Sequence, residues 1–386
     1  MTLGLNNLIY FRFVMLRKII KTTMLIIILL LVITVVGGFL YMRSDRFGVN
    51  AEGERLTRMQ KAPNYKDGAF DNLEFTPALA EGTSYSDMLR GFFFSKKVRN
   101  TPSVALPVIK SDLKNLPLDS NLYIWFGHSS YFLQLDGKRI LVDPVFSEYA
   151  SPVRISVKAF PLTYNYSADD FSEIDIMVIT HDHWDHLDYN TFMSLKAKVK
   201  HIVTGLGVAA HLEKWGYPAS QITELYWGEH ANVDGLKFTS ATARHFSGRT
   251  FTRNTTLWSS FILQTNSKKI YIGGDSGYGK HFKDIGEKYG PFDFAILENG
   301  QYNQMWKYIH MMPEEVIQAS HDLKATYAIP VHSSKFPLAN HAWDEPLIRV
   351  TQEAEKQNFP LLTPKMGEIL SLDNYKKFPK WWEGID

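Results

Sequence analysis

The 386-residue chain contains no cysteine, which removes disulfides, thiolate nucleophiles and thiolate metal ligands together. It also lacks an excess of charge of either sign. Its 42 Lys and Arg face 40 Asp and Glu, a formal charge of +2, with the basic residues spread along the chain. That balance leaves no electrostatic footprint for nucleic acid, so no nucleic-acid partner is expected. What is present is core-forming material. With 45% hydrophobic and 14% aromatic residues, the chain suits one large domain with extensions, or two domains, and not a disordered scaffold. Any metal held here must sit on nitrogen and oxygen.

Charge is missing altogether from residues 23–42, TMLIIILLLVITVVGGFLYM, a run long enough at ~20 residues to cross a bilayer as a helix. Arg12, Arg17, Lys18 and Lys21 precede it, whereas Arg43, Asp45 and Arg46 follow with nearly balanced charge. The positive-inside bias therefore puts the leader, residues 1–22, in the cytoplasm. A cleaved secretory signal shares the basic start and apolar middle, but this core is long and GGFLYMRSD is a poor small-x-small cleavage site, which favours a retained signal anchor. Met15 opens a more typical leader, MLRKIIKTT, and a start there would leave residues 1–14 untranslated. The expectation is a single-pass protein of the cytoplasmic (inner) membrane with its catalytic domain extracytoplasmic or periplasmic.

Residues 43–120 are rich in Pro, Gly, Ser, Asn and charge, without sustained periodicity, and read as an extended arm. Within it MLRGFFFSKKVR, residues 88–99, places Phe92, Phe93 and Phe94 before a basic cluster. Such an element either dips into lipid headgroups or covers the edge of a core. The aromatic and basic tail, residues 373–386 with KKFPKWWEG, carries the same two readings.

From residue 121 to 372 short β-branched and aromatic runs alternate with helical stretches, the signature of an α/β arrangement. Asp136-Gly137 lies between two apolar runs where a hairpin turn would fall. Four runs then stop at a potential metal ligand: IDIMVIT at His181, LKFTSATAR at His245, KIYIGGD at Asp275 and TYAIPV at His332. The C-terminal ends of strands are where α/β folds build their sites.

The densest stretch is VITHDHWDHLDYN, residues 178–190. As the chain leaves a strand and turns, alternate side chains can converge, so His181 and His183 would share one metal while Asp185 and His186 face a second. Asp188 is placed to cap the helix that follows. Imidazoles and carboxylates suit zinc, with iron or manganese compatible with the same positions. A metal pair would supply a hydroxide nucleophile at neutral pH. A lone H-x-H is weak evidence, but H-x-H-x-D-H behind a strand, followed by three more strand-end ligands, is specific.

These residues resemble the metallo-β-lactamase superfamily, whose signature is THDHWDH, over roughly residues 122–372. Within it the chain looks most like the N-acyl-phosphatidylethanolamine-hydrolysing phospholipase D group, through WFGHSSYFLQLDGKRILVDPVFSEYASP, HDHWDHLDYN, IGGDSGY, GPFDFAI, YIHMMPEEV and VHSSKFPLAN. The resemblance implies an αβ/βα four-layer sandwich with two zinc ions at one edge. His181, His183 and His245 would hold one, Asp185, His186 and His332 the other, and Asp275 would bridge them. Asp143, in LVDP, would orient a ligating histidine, and His128 would support the site from behind. Catalytic roles fall to Asp185 and to His310, which would protonate a leaving alkoxide; a histidine hydrogen-bonded near a helix start is the plainer reading of His310. Gln301, Tyr302, Met305 and Trp306 would form part of the substrate wall, and the group suggests a homodimer.

The implied function is membrane-associated phosphodiester hydrolysis of a phospholipid, a hydroxide bridging the metals attacking phosphorus in line. ENGQYNQMWKYIH departs from the animal phospholipases, with Glu298, Asn299 and Gln301 where they carry smaller or apolar residues, which limits transfer of the head group. The lack of cysteine argues against the β-lactam-hydrolysing subclass with a thiolate ligand, and the absence of a basic patch against the RNA-processing nucleases. Two alternatives stand beside the phospholipase: a lactone or carboxylic-ester hydrolase of the same fold, and a non-catalytic, metal-stabilised binding module.

Overall fold

The computed structural model describes residues 2–94, 97–154 and 156–385, with side chains throughout except those of residues 2–9, 92 and 93. Two compact units result, Met1–Phe47 and Gly48–Asp386. The first is dominated by one helix, Thr2–Met42. Its portion Tyr10–Met42 is long and apolar enough to cross a membrane and none of it is buried within the protein, a pattern shared by membrane spans and signal sequences. The basic leader is not a separate element, because the helix runs through it.

The second unit is a four-layer sandwich. Its first sheet has seven strands in the order Ile369–Ser371, Leu122–Trp125, Tyr131–Leu135, Lys138–Val142, Ile174–Ile179, Val199–Gly205 and Ile222–Leu225. The second has six, in the order Ala325–Val331, Phe292–Glu298, Lys269–Ile272, Ser260–Gln264, Leu236–Ala241 and His230–Val233. Each sheet is antiparallel at one side and parallel at the other. The expected hairpin forms, with Leu135 opposite Lys138 across Asp136 and Gly137.

Strands buried on both faces need apolar residues at consecutive positions, and IDIMVI and FAIL supply them. Between the sheets pack Leu133, Val178 and Val203 from one and Phe261, Ile272 and Ile296 from the other. The outer face of the first sheet is covered by helices Tyr189–Leu195 and Ala209–Lys214, through Phe192 and Leu212. That of the second is covered by His281–Tyr289, Pro313–Asp322 and Glu345–Gln357, through Phe282, Ile317 and Val350. The parallel strands of both sheets deliver their C-terminal ends to one edge, where the histidines cluster.

Residues 48–120 are not an extended arm. They carry helices Gly53–Gln60 and Tyr85–Phe94 and a two-stranded hairpin, Tyr65–Lys66 with Ala69–Phe70. Met59 and Phe70 are buried against Leu206, Leu257 and Trp258. Arg55 adds charged bonds to Glu213 (2.5 Å) and Glu224 (2.7 Å). The tail is packed as well: Trp381 and Trp382 join the inter-sheet core, which removes them from any membrane interface.

Candidate metal centre

The seven sequence-expected ligands all follow the ends of four strands, Ile174–Ile179, Leu236–Ala241, Lys269–Ile272 and Ala325–Val331, and the fold brings them together. His181 Nε2 lies 2.9 Å from His183 Nδ1, and His245 Nε2 lies 3.3 Å from that same atom. His181, His183 and His245 form one group able to hold a cation, and Asp185, His186 and His332, joined by His128, form another. Asp275 stands between them. Its Oδ2 is 3.2 Å from His186 Nε2, 3.7 Å from His245 Nε2 and 3.9 Å from His181 Nε2, while its Oδ1 is 3.1 Å from His332 Nδ1. Asp275 can approach because Gly273-Gly274 precedes it: a side chain on Gly273 would meet the Ile296 carbonyl at 2.7 Å.

Around this centre the imidazoles are held by neighbours that fix which nitrogen points inward. Asp143 accepts from the Thr180 backbone N–H (2.9 Å), the Thr180 hydroxyl (2.6 Å) and His186 Nδ1 (2.8 Å). With its own proton committed to Asp143, the Thr180 hydroxyl accepts from His181 Nδ1 at 3.0 Å. His245 Nδ1 donates to the Ile309 carbonyl at 2.9 Å. His128 reaches Asp185 at 2.7 Å, so it braces that carboxylate. The backbone is strained at the same place: His128, Asp143, Gln301 and His332 all have positive φ, between 40° and 69°, a conformation costing about 1–3 kcal/mol each for a non-glycine residue.

The electrostatics favour a cation. Burial pushes the pKa values of His181, His245 and His332 well below the usual imidazole range, and that of His183 down as well. Burial also opposes charge on His186, but Asp275, Asp185 and Asp143 outweigh it and hold that imidazole well above its ordinary value. Burial would raise Asp275, yet His186 and His332 keep it well below the carboxylate range. Among the seven candidate ligands four buried atoms have no hydrogen-bond partner: Nε2 of His183, His186 and His332, and Oδ1 of Asp275. His186 Nε2 lies close to Asp275 without the angle of a hydrogen bond. Unpaired buried polar atoms are expensive, and those of His186, His332 and Asp275, on nitrogen and oxygen, fit bound divalent metal, while His183 turns its Nδ1 toward His181 and His245.

A cavity of about 600 Å³ opens on this centre, lined by His183, Asp185, His245, Asp275, His310 and His332 at its polar end. His310 is nearly buried, with Nδ1 3.4 Å from Glu298 Oε2, and the helix Pro313–Asp322 begins three residues later. Of the expected wall, Gln301 and Trp306 line the cavity, whereas Tyr302 and Met305 do not. Tyr302 turns away, stacked on His341 with its hydroxyl bonded to Glu345. The Met305 backbone instead accepts from Ala80. Gln301 is as much a strap as a wall: its amide bonds the His332 and Phe336 carbonyls and the Leu338 and Ala339 N–H groups. The side chains of Phe92 and Phe93 lie outside the described residues, and Phe94 is exposed. A second cavity, about 770 Å³, lies by Phe126, Phe160 and Lys335 and is lined by none of the seven ligands.

Several contributors escaped sequence reasoning. Tyr85, Met88 and Leu89 line the cavity; their i, i+3, i+4 spacing was the available signal. Asp182 is buried and accepts from Gly248 N–H and the Thr256 hydroxyl. Arg249, buried against the Trp184 ring at 4.0 Å, donates to the Asp182 and Leu187 carbonyls and so clamps the ligand loop. Arg253 also lines the cavity, its guanidinium 4.8 Å from the Phe246 ring.

Two facing mixed sheets between helical layers, with a histidine–aspartate centre at one edge, define a metal-dependent hydrolase fold. The chain belongs to the metallo-β-lactamase superfamily: a beta-lactamase superfamily domain profile matches residues 138–333. An N-acyl-phosphatidylethanolamine-hydrolyzing phospholipase D of Caenorhabditis elegans is 29% identical over 287 residues, 68% of this chain and 80% of that one. Outer membrane protein RomA of Klebsiella pneumoniae is 60% identical over 93 residues, 24% of this chain and 70% of that protein. The structure of a possible metal-dependent hydrolase from Veillonella parvula aligns with a TM-score of 0.52 at 17% identity, over 65% of this chain and 99% of that one, a likeness of fold.

Proposed function

We propose that this metal-dependent hydrolase is a di-zinc phosphodiesterase that cleaves N-acyl-phosphatidylethanolamine-like phospholipids in the phospholipase D manner, releasing the head-group alcohol. The observation that carries the reading is the composition of one cavity. Its polar end holds five of the candidate ligands and His310, and its walls are apolar, from Leu79, Met88, Leu89, Phe246, Trp306 and Leu338. A phospholipid presents the same division, a charged diester joined to acyl chains.

His181, His183 and His245 would hold one cation, and Asp185, His186 and His332 the other, with Asp275 shared. Such a pair, when bound, supplies a nucleophile at neutral pH and neutralises charge on the phosphoryl oxygens. The chain's own groups do the rest. His310 lines the cavity and would donate a proton to the leaving oxygen as the phosphorus–oxygen bond breaks. Glu298, behind His310, would fix its orientation. Arg253 brings a cation to the lining, which favours an anionic substrate. The apolar walls exclude water and seat acyl chains. We read the helix Tyr10–Met42 as the anchor of this activity at the cytoplasmic membrane; the name of the Klebsiella relative points to the outer membrane for that protein, and fractionation of the full chain decides between them.

The test is hydrolysis by the purified, zinc-loaded chain of bis-p-nitrophenyl phosphate, a simple lactone and N-acyl-phosphatidylethanolamine vesicles. Phosphodiester turnover that His183→Ala abolishes is the expected result. Lactone turnover alone would overturn the substrate and leave the metal centre standing.

A further inference from the structure

We propose that the mouth of the metal-site cavity is a docking surface for the headgroup–acyl boundary of a lipid bilayer, built from exposed apolar residues on three separate segments. The choice of partner rests on the lipid-hydrolase reading; the surface itself is a property of the fold.

Phe75 is 84% exposed, Phe94 84% and Phe251 91%. Each belongs to a segment that lines the cavity. Phe75 precedes Thr76, Phe251 lies two residues before Arg253, and Phe94 ends the helix whose Tyr85 and Leu89 line the cavity while remaining 59% and 50% exposed. A single exposed apolar residue is ordinary, but several around one apolar opening mark an interaction site.

Phe75 and Phe251 stand on braced backbone. Arg244 donates to the Phe75 carbonyl (2.7 Å), the Thr76 hydroxyl (3.0 Å) and the Tyr278 carbonyl (2.9 Å), tying that segment to the domain. Asn72, three residues earlier, exchanges bonds with the backbone of His245. The loop bearing Phe251 is closed at its ends by Gly248 N–H to Asp182 and Asn254 N–H to the Ser247 carbonyl. Phenylalanines held outward this way bury apolar area only when something covers them.

A bilayer is the occupant that the surroundings fit. Tyr85 and Leu89 are exposed and also line the cavity, so an acyl chain leaving the membrane would meet apolar side chains on entering it. Arg90 and Arg253 are exposed on the same segments, where they can meet lipid phosphates while the rings enter the acyl boundary. The chain also carries its own candidate membrane span.

The absence of cysteine makes the test direct. Single substitutions Phe75→Cys, Phe94→Cys and Phe251→Cys in the full chain are labelled with a polarity-sensitive fluorophore. The chain is reconstituted in phosphatidylcholine vesicles with and without phosphatidylglycerol, and quenching by acyl-chain-attached quenchers is measured. Lys356→Cys, on the exposed face of the helix Glu345–Gln357, is the reference. Quenching of the three rim labels several-fold above the reference is expected. Equal quenching at all four positions overturns the proposal, as does shielding that follows protein concentration and not lipid, which would assign the rim to a second copy of the chain. Hydrolysis of detergent-dispersed N-acyl-phosphatidylethanolamine by the unsubstituted chain separates the two readings. Quenched rim labels without turnover keep the docking surface and remove the substrate, whereas turnover without rim quenching does the reverse.

Discussion

Replacing Asp143 by Asn is the most informative single change, because it alters no candidate ligand and no cavity residue. Asp143 is buried and satisfies three donors with two oxygens: Thr180 N–H at 2.9 Å, the Thr180 hydroxyl at 2.6 Å and His186 Nδ1 at 2.8 Å. An amide has one acceptor oxygen. If that oxygen keeps the hydroxyl and His186, the NH2 confronts the Thr180 N–H, and a buried donor goes unpaired at a cost of about 1–3 kcal/mol. If the amide flips, His186 must move its proton to Nε2, the atom aimed at the metal. Loss of such a supporting partner lowers metal affinity ~10–100-fold, which corresponds to about 1.4–2.7 kcal/mol at ~1.36 kcal/mol per decade. The assays are metal content after graded chelator challenge and thermal unfolding with and without zinc. Expected are loss of metal at a ~10-fold or more lower chelator strength and a lowered Tm that zinc only partly restores. Thr180→Val, which removes the hydroxyl and leaves the carboxylate on His186, should do less. Unchanged metal retention and Tm in Asp143→Asn would refute the claim that this carboxylate orients His186.

Four further outcomes are expected. Asp275→Ala should abolish turnover and reduce bound metal while circular dichroism shows the fold intact; full metal content would show that Asp275 is no ligand. Glu298→Gln keeps a bond to Met311 N–H, now at 2.6 Å from Glu298 Oε1, but offers His310 Nδ1 an NH2; kcat should fall about 100-fold with little change in KM, and an unchanged kcat would make Glu298 merely structural. Gln301→Ala deletes four bonds to the loops around His332 and should lower Tm by several degrees, whereas Trp306→Ala should act on KM for lipid; the opposite pattern would restore Gln301 as a specificity residue. Burial, with help from Arg244, lowers the pKa of His281 to about 3. Because an unfolded histidine titrates near ~6.5, the unfolded chain takes up a proton between these values that the folded chain refuses. Stability should therefore fall as pH drops through 6.5, the contribution being fully lost near 3. Urea unfolding at pH 8 and about pH 5 should show a smaller acid loss in His281→Gln than in the unsubstituted chain, and equal losses would dismiss this group.

The candidate metal centre was legible as a cluster because its residues are local. His181 through His186 lie within six residues, and runs of β-branched residues ending in His245, Asp275 and His332 mark strand ends whatever the partners. Likewise Asp188 caps Tyr189–Leu195 through Thr191 N–H, as its position foretold. The helices Gly53–Gln60 and Tyr85–Phe94 were illegible for the converse reason. At 8 and 10 residues they are too short to be stable alone, and the first of them forms against surfaces far away in the chain: Met59 on Leu206 and Trp258, and Arg55 on Glu224.

Sequence alone determined the class of fold, the candidate ligands and the apolar N-terminal helix, since each depends on residue type and spacing along one stretch of chain. Tertiary structure decided the rest. It turned Tyr302 toward Glu345 and left Trp306 on the cavity, although only three residues lie between them in the sequence. It placed Glu298 behind His310, buried Trp381 and Trp382, and left Phe75, Phe94 and Phe251 exposed on segments that line the cavity. These pairings join residues that are distant in sequence or face different ways on one turn. Their geometry exists only once the two sheets have packed, because a side chain's direction relative to a remote segment is set by packing and not by its neighbours in the chain.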